Sequence, residues 1–511
     1  MATDMATAMG KSNRRADAGV ALTGLLLAAS TAAWGQVTVT PRVSVTETIT
    51  NNVSLTSTNP QSEQITEITP GIRINIAGAK LKTYFDLGLS QVIYAQGTSA
   101  NRTEIQNALN TFGTFEAVDN WAFVDFSGTI SQQSVSAFGT QSADNTSVNA
   151  NQAEVSNYRI SPYVRGRLGH MADYEARYSR STSSSDSAAA SDVDTADTFV
   201  KLSGNTAFRS LGWSADASRQ TVSYSAGRTT EADRANLGLS YTLTPQLNVF
   251  ASGGRESNNF VALDKESSAT NTVGLNWVPS ETTKLLLSRS KRPFGDAHNL
   301  SFEHRSARTV WRYTDSKDVT ATPNQTGLAS IGSTYDLLFS QFASIEPDPI
   351  ARAALVNAYL QAYRINPSAT VVSNFLSSAL SVQRRQDLSF ALLGLRDTIT
   401  FIATRTESNR LDTVSTALDD LANASQVRQA GLSINYAHRL TPDYSLGVLW
   451  SQQKTSSDSN IQDTRQRAVN VSVSGRLGKR ASAVVGVRHV VSDGLSSYSE
   501  TAVTGNLNVQ F

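Results

Sequence analysis

From residue 43 to the last residue, hydrophobic and polar side chains alternate in runs of about ten residues, each run closed by a turn. The stretch "ITPGIRINIAGAKLKTYFDLGLSQVIY" shows the unit. Ile72, Ile74 and Ile76 share one parity, and Arg73 and Asn75 the other. After the turn "AGAK", Leu81, Phe85, Leu87 and Leu89 alternate with Lys82, Asp86 and Ser90. A period of two places successive side chains on opposite faces of a strand, so each strand has an apolar and a hydrated face. The end of the chain keeps the pattern: Val503, Gly505, Leu507, Val509 and Phe511 lie on one face of "TGNLNVQF" and its flank.

The connections fall into two alternating kinds. Short ones include "AGAK" (77–80), "VDN" (118–120), "LGH" (168–170), "LTPQ" (243–246), "PSET" (279–282), "LTPD" (440–443) and "LGK" (477–479). Long loops rich in Ser, Asn, Asp and Thr fall between them, near 56–62, 95–104, 134–154, 181–196, 257–270, 407–426 and 455–464. Short turns at one end and long loops at the other are the asymmetry of an outer-membrane barrel. The runs, from 43–55 to 499–511, predict an all-β, antiparallel, up-and-down transmembrane barrel of about 22 strands. Trp121, Trp213, Trp277 and Trp311 each stand close to a short turn, where interface aromatics are expected. Ordinary core packing is the alternative for them.

One segment breaks the rhythm. Residues 316–385 form an insertion too long for a plain loop. It contains "EPDPIARAALVNAYLQAYRI", where Asp348 suits an N-cap and Pro349 a first helical position. Leu355, Tyr359 and Tyr363 recur every four residues, with Val356 and Leu360 beside them. The pattern predicts a helix with one apolar stripe, either a plug or lid for a wide lumen or a helix lying on the surface.

Composition narrows the partners. Charged residues are 17% and the formal net charge is +1, which argues against nucleic acid. There is no Cys, so neither a disulfide nor a thiolate site exists. Lys11, Arg14 and Arg15 precede the apolar run 18–33, and Ala33 and Gly35 form a small-x-small end. Residues 1–35 therefore read as a secretory signal peptide and 36–511 as the barrel. Outer-membrane lipid is the first partner such a barrel implies.

Enzymatic motifs are absent: there is no G-x-S-x-G, H-E-x-x-H, P-loop or G-x-G-x-x-G. The five His residues (170, 298, 304, 438 and 489) form no close metal-ligand pair, so neither metal nor cofactor is expected. The one hydrolytic candidate is Asp296 with His298 in "FGDAHN", expected in an outer loop, with His489 at the same end. A solvated polar loop is the alternative. Lys82, Asp86, Arg165, Arg167, Glu175, Arg177, Lys201 and Asp216 fall on the inward parity. They carry both signs, so they either line a channel or brace the wall across strands, and no strong ion selectivity is expected.

Several segments together resemble the PEP-CTERM system-associated outer-membrane proteins, a barrel family linked to exopolysaccharide and exosortase loci. They are "VSVTETITNNV" (43–53), "ITEITPGIRI" (65–74), "FEAVDNWAFVDFSGTISQQ" (115–133), "NYRISPYVRGRLGHMADYEARYS" (157–179), "GLNWVPSETTKLLLSRSKRPFG" (274–295), "SFEHRSARTVWRY" (301–313) and "DPIARAALVNAYL" (348–360). The resemblance implies a role in envelope or polysaccharide export, with exopolysaccharide or export components as partners, and brings no catalytic residues. The ending Leu507, Val509, Phe511 is similar to the terminal-strand signal that barrel-assembly machinery recognises. Three functions stay open: a conducting or exporting barrel, a closed structural or docking barrel, and an outer-membrane hydrolase.

Overall fold

The structure, a computed structural model, describes residues 35–96, 104–187, 191–208, 210–320, 380–411, 420–459 and 463–511, with single positions between 335 and 356. Twenty-two strands make one sheet. In chain order they begin β1 (Gly35–Thr50), β2 (Glu63–Gly78), β3 (Leu81–Tyr94), β4 (Glu104–Val118), β5 (Ala122–Ser134) and β6 (Gln152–Leu168). Next come β7 (Ala172–Ser185), β8 (Val193–Asn205), β9 (Leu211–Tyr224), β10 (Thr230–Thr244), β11 (Leu247–Asn258) and β12 (Glu266–Ser280). They continue as β13 (Thr283–Arg292), β14 (Gly295–Arg305), β15 (Thr309–Thr320), β16 (Ser381–Leu393) and β17 (Asp397–Arg410). The last are β18 (Gln426–Arg439), β19 (Tyr444–Ser457), β20 (Thr464–Arg476), β21 (Ala481–Asp493) and β22 (Tyr498–Gln510).

Each strand pairs antiparallel with the next, and β22 returns to β1 from Arg42↔Gln510 to Thr50↔Ala502. Closure removes every unpaired strand edge, the condition for spanning a bilayer with strands. The faces sort as the alternation requires. Val37, Val39, Val45 and Ile49 of β1, Leu237, Leu239 and Tyr241 of β10, and Val469, Val471 and Val473 of β20 are exposed on the outer surface. Arg42, Asp86, Arg177 and Glu256 face the lumen. This is a barrel of the outer-membrane type, apolar outside and polar inside.

The structure corrects the connections at the outer end. Several expected loops are shorter, because strands run on past their apolar part: β11 reaches Asn258, β12 starts at Glu266, and β19 reaches Ser457. Ser, Thr and Asn carry the ladder there, and their alternation leaves no hydropathy signature. "FGDAHN" is not a loop either. β13 and β14 join in a tight hairpin, Arg292↔Gly295, in which Gly295 takes φ +114°, a conformation open to glycine.

The expected helical insertion is only partly in view. Asp348, Pro349, Tyr359 and Tyr363 lie outside the described residues. Helical structure among the described positions of 321–380 is confined to short pieces, 351–353 and 355–356 among them. A helix of the expected length is not shown. Within the short pieces Val356, beside Leu355 in the expected stripe, is fully buried together with Ala353, while Leu355 is 38% exposed.

Candidate functional site: the lumen and its two obstructions

Near the start of β3, Tyr84 and Asp86 project into the lumen beside Arg73 of β2 and Arg42 of β1. Asp86 is held from both sides, with Arg42 Nη2 at 2.6 Å and Arg73 Nη2 at 2.7 Å. Tyr84 donates its hydroxyl to the same carboxylate at 3.1 Å. Gly71 makes room for this cluster, since a Cβ there would stand 2.9 Å from Arg42 Nε. Comparable pairs line the rest of the wall. Arg177 bridges Asp125 (2.7 Å) and Glu175 (3.1 Å), Glu256 binds Arg292 (2.9 Å) and Arg234 (3.2 Å), and Arg385 binds Asp387 (2.8 Å). Arg165 lies over the Phe123 ring at 4.4 Å, and Asp216 accepts from Asn236 at 2.8 Å. Most of these contacts join different strands, adjacent or next but one, so they brace the wall as well as hydrating it.

The Tyr84 ring stacks on Phe112 of β4, 5.3 Å between centroids. Residues of the 321–380 segment cover this pair. Leu338, Phe339, Phe342, Ala353 and Val356 form one buried cluster with Tyr84 and Phe112. Phe339 meets Phe112 edge-on at 6.1 Å, stacks on Tyr335 at 5.8 Å, and has the Arg352 guanidinium over its ring at 4.9 Å. The segment leaves and rejoins the wall at β15 and β16, and β4 lies eleven places from β15 in the ring of 22. These residues thus touch the inner wall almost opposite their own strands. Tyr84 also sits close to the short-turn end of β3, whereas Thr320 and Ser381 are at the long-loop end.

A second obstruction lies at that long-loop end. The loop 135–151 between β5 and β6 folds over the mouth. Tyr94 and Gln106 donate to Thr146 O (2.8 Å) and Asn145 O (2.7 Å) on one side. Gln466 and Tyr498 both donate to Gln141 O on the other. Its apolar residues Ala137 and Phe138 are buried with Leu421, Ala424 and Val427. A helical turn at Asp420–Asn423 supplies the anchor: the Asp420 carboxylate accepts from Ser136 Oγ (2.7 Å) and the Ala137 amide (2.6 Å). Inside the mouth, Arg488 of β21 bridges Asp144 of the loop and Glu500 of β22 (2.9 Å). Burial alone would raise the Asp144 carboxyl. The Arg488 charge and the Ser147 hydroxyl and amide outweigh it and hold Asp144 at about 2. The sequence marks only a polar loop here. The signal this reading passes over is "SAF" at 136–138, an apolar pair inside a Ser/Asn-rich stretch.

The other singled-out residues fall as follows. Trp121, Trp213, Trp277 and Trp311 stand on the outward face near short turns; Trp121 Nε1 donates to Tyr174 Oη at 2.8 Å, and Trp311 lies 4.2 Å from the Phe390 ring. Leu507 and Val509 face outward on β22, and Phe511 follows with its amide donating to Pro41 O at 2.9 Å. The hydrolytic trio is not assembled. Asp296 pairs with Arg289 (2.8 Å), His298 with Asp315 (3.0 Å), and His489 with Thr501 (2.9 Å) seven strands away from β14. Among the described residues no cluster of His, Asp or Glu is placed to hold a metal ion.

No family model matches this chain, and no curated protein matches it. Among solved structures it is similar to the siderophore receptor PirA from Acinetobacter baumannii, at 9% identity, 93% of this chain, 80% of that chain and a TM-score of 0.45. PirA from Pseudomonas aeruginosa matches at 10% identity, 92% and 80% coverage and a TM-score of 0.37. The FrpB iron transporter from Neisseria meningitidis matches at 10% identity, 92% and 82% coverage and a TM-score of 0.45. With every TM-score here below 0.5, the barrel's own geometry is the ground for a functional reading.

Proposed function

We propose that this chain is an outer-membrane conduit whose lumen is held shut by its own 321–380 segment, and that it passes extracellular polysaccharide or small solutes when that segment moves. The observation that carries the reading is the cluster of Phe339, Phe342, Ala353 and Val356 on Tyr84 and Phe112. A surface decoration would have no reason to cover the far inner wall. A ring of 22 strands encloses more volume than its own side chains fill, so an occupant is required for it to be closed. The resemblance to exopolysaccharide-locus barrels supports the cargo class, and the both-sign inner wall suits an uncharged or mixed-charge polymer better than a single ion type.

A second reading has its own support. The ion pairs that brace the wall across strands, and the anchored loop 135–151, also suit a barrel that never opens and serves as a dock for envelope machinery. Conductance in planar bilayers separates the two. Thr320 and Ser381 are register partners, so a two-residue Asn-Gly turn can replace 321–380 without disturbing the wall. The replaced protein is expected to fold and to conduct severalfold more than the intact chain. A folded variant with unchanged conductance would overturn the conduit.

A further inference from the structure

The outward surface of β16–β20 is layered by register. One row, Phe390, Phe401, Ile434, Trp450 and Val469, is wholly apolar. The next towards the long-loop end is Leu388, Ala403, Leu432, Gln452 and Arg467. Above it come Gln386, Arg405, Ala430, Lys454 and Arg465, and then Arg384, Glu407 and Arg428. Lys317 of β15 stands beside Arg384. Cations thus begin two residues, about 7 Å of strand, beyond the apolar row.

The patch is rich in cations. Seven cations, Lys317, Arg384, Arg405, Arg428, Lys454, Arg465 and Arg467, meet four carboxylates, Asp315, Glu407, Asp463 and Asp493. Arg405, Arg428 and Arg465 make no ion pair among the described residues. On β1–β6 the outward parity carries no cation at all; its charges there are Glu47 and Glu154. Outward cations also stand on β7–β13, as Arg180, Arg219, Arg255, Lys265, Arg289 and Lys291, but Arg219, Lys265 and Arg289 are engaged there by Glu231, Asp233 and Asp296, whereas β17–β20 gather three arginines without an ion pair within four strands.

We propose that this face seats an anionic glycolipid of the outer leaflet, with its acyl chains on the Phe390–Val469 row and its phosphates between Arg405, Arg428 and Arg465. An amphiphile matches both layers, while a water-soluble acidic protein matches only the upper one. Guanidinium groups bind phosphate through paired N–H donors and are weakly hydrated, which suits a headgroup layer. The inference rests on membrane placement but not on the cargo.

The test uses the full-length barrel in non-ionic detergent, titrated with lipid A carrying both phosphates, with dephosphorylated lipid A, and with inorganic phosphate. Bis-phosphorylated lipid A should bind tightest, with an affinity that falls as salt rises. The R405Q/R428Q/R465Q variant should bind it at least about tenfold more weakly, since each basic residue near an anionic surface contributes on the order of that factor or slightly less. Its heat-modifiable gel mobility should stay that of the folded barrel, and an R219Q/R255Q variant should bind like the intact protein. Equal binding of both lipids, salt-independent binding, or full affinity in the triple variant would overturn the proposal. Competition by inorganic phosphate at lipid concentrations would overturn it in favour of a free-anion site. The salt series needs no variant, so a misfolded triple variant leaves the proposal exposed to test.

Discussion

Single residues decide whether the mouth stays closed, and Arg488 is the one with the most at stake. It stands between two carboxylates, Asp144 from the loop and Glu500 from β22, and Glu500 is almost fully buried at 1% exposure. Removing the guanidinium leaves two acids facing each other without a cation, a change that typically costs about 3–5 kcal/mol. Arg488→Met should therefore free loop 135–151 while the closed sheet persists, visible as faster amide exchange in the loop and unchanged exchange in the strands. Equal loop exchange would mean the apolar anchor of Phe138 suffices. The pH dependence has a definite sign. Asp144 is depressed from its ordinary 3.8 to about 2. Its contribution is complete above the unfolded value and is lost as pH falls through about 2. Loop exchange, corrected for its intrinsic rate, should not rise between about pH 7 and pH 4, and should climb below that as Asp144 takes up its proton. Loss of protection near pH 5 would contradict the ion pair. The inward parity of Lys82, Asp86, Glu175 and Arg177 was legible because period two is local. Their partners were not: Arg42 and Asp86 are 44 residues apart, and hydrophobic spacing is silent about which charges meet across a ring.

Strands and turns were the most legible elements. All 22 strands follow from alternation, and the expected short turns are where the chain reverses. Legibility failed where apolar residues thin out, as in the Ser/Thr extensions above the membrane and the hairpin after Arg292. It failed again where a contact depends on tertiary packing. The expected stripe holds both Leu355 and Val356, yet among the described residues only Val356 is buried, joined by Ala353, which the spacing leaves off the stripe. The final strand offers a test that separates folding from delivery. The seam between β22 and β1 holds nine register pairs, and Phe511 adds one hydrogen bond, to Pro41 O. One such bond contributes about 1 kcal/mol, so its loss scarcely weakens the seam. Deleting Phe511 should leave in-vitro refolding and thermal stability nearly unchanged, yet reduce the amount of barrel inserted in cells. Equal insertion with and without the residue would reduce its role to lipid contact alone.

At the scale of the whole molecule, the question is whether the segment on the far wall is a moving part or a fixed strut. The contact is apolar and aromatic, built on Tyr84, Phe112 and Phe339, so it can part without leaving buried charges unpaired. The neighbouring Arg42–Asp86–Arg73 group is complete within the wall and would survive that departure. Loop 135–151 sits in series with it at the other end, held by Asp420 and Arg488. The chain contains no cysteine, which makes a cross-link clean. Phe112→Cys with Phe339→Cys puts two thiols where two rings meet edge-on with centroids 6.1 Å apart, and an oxidant traps them as a disulfide when motion of the segment brings the two Cβ atoms to about 4 Å. Oxidation of the membrane-inserted double variant should form the bond, visible as a mobility shift that reductant reverses. A conduit that opens by releasing this segment should then show its rare open events vanish on oxidation and return on reduction. Identical current records in both states, with the bond formed, would make the segment a permanent strut and leave the docking barrel as the function. If the direct bond does not form in folded protein, a longer reducible thiol linker across the same pair gives the same two outcomes. A scaffold gains nothing from a separable apolar contact deep in its lumen, and a gate needs one that can break and re-form; the redox-switched current decides which of these the molecule is.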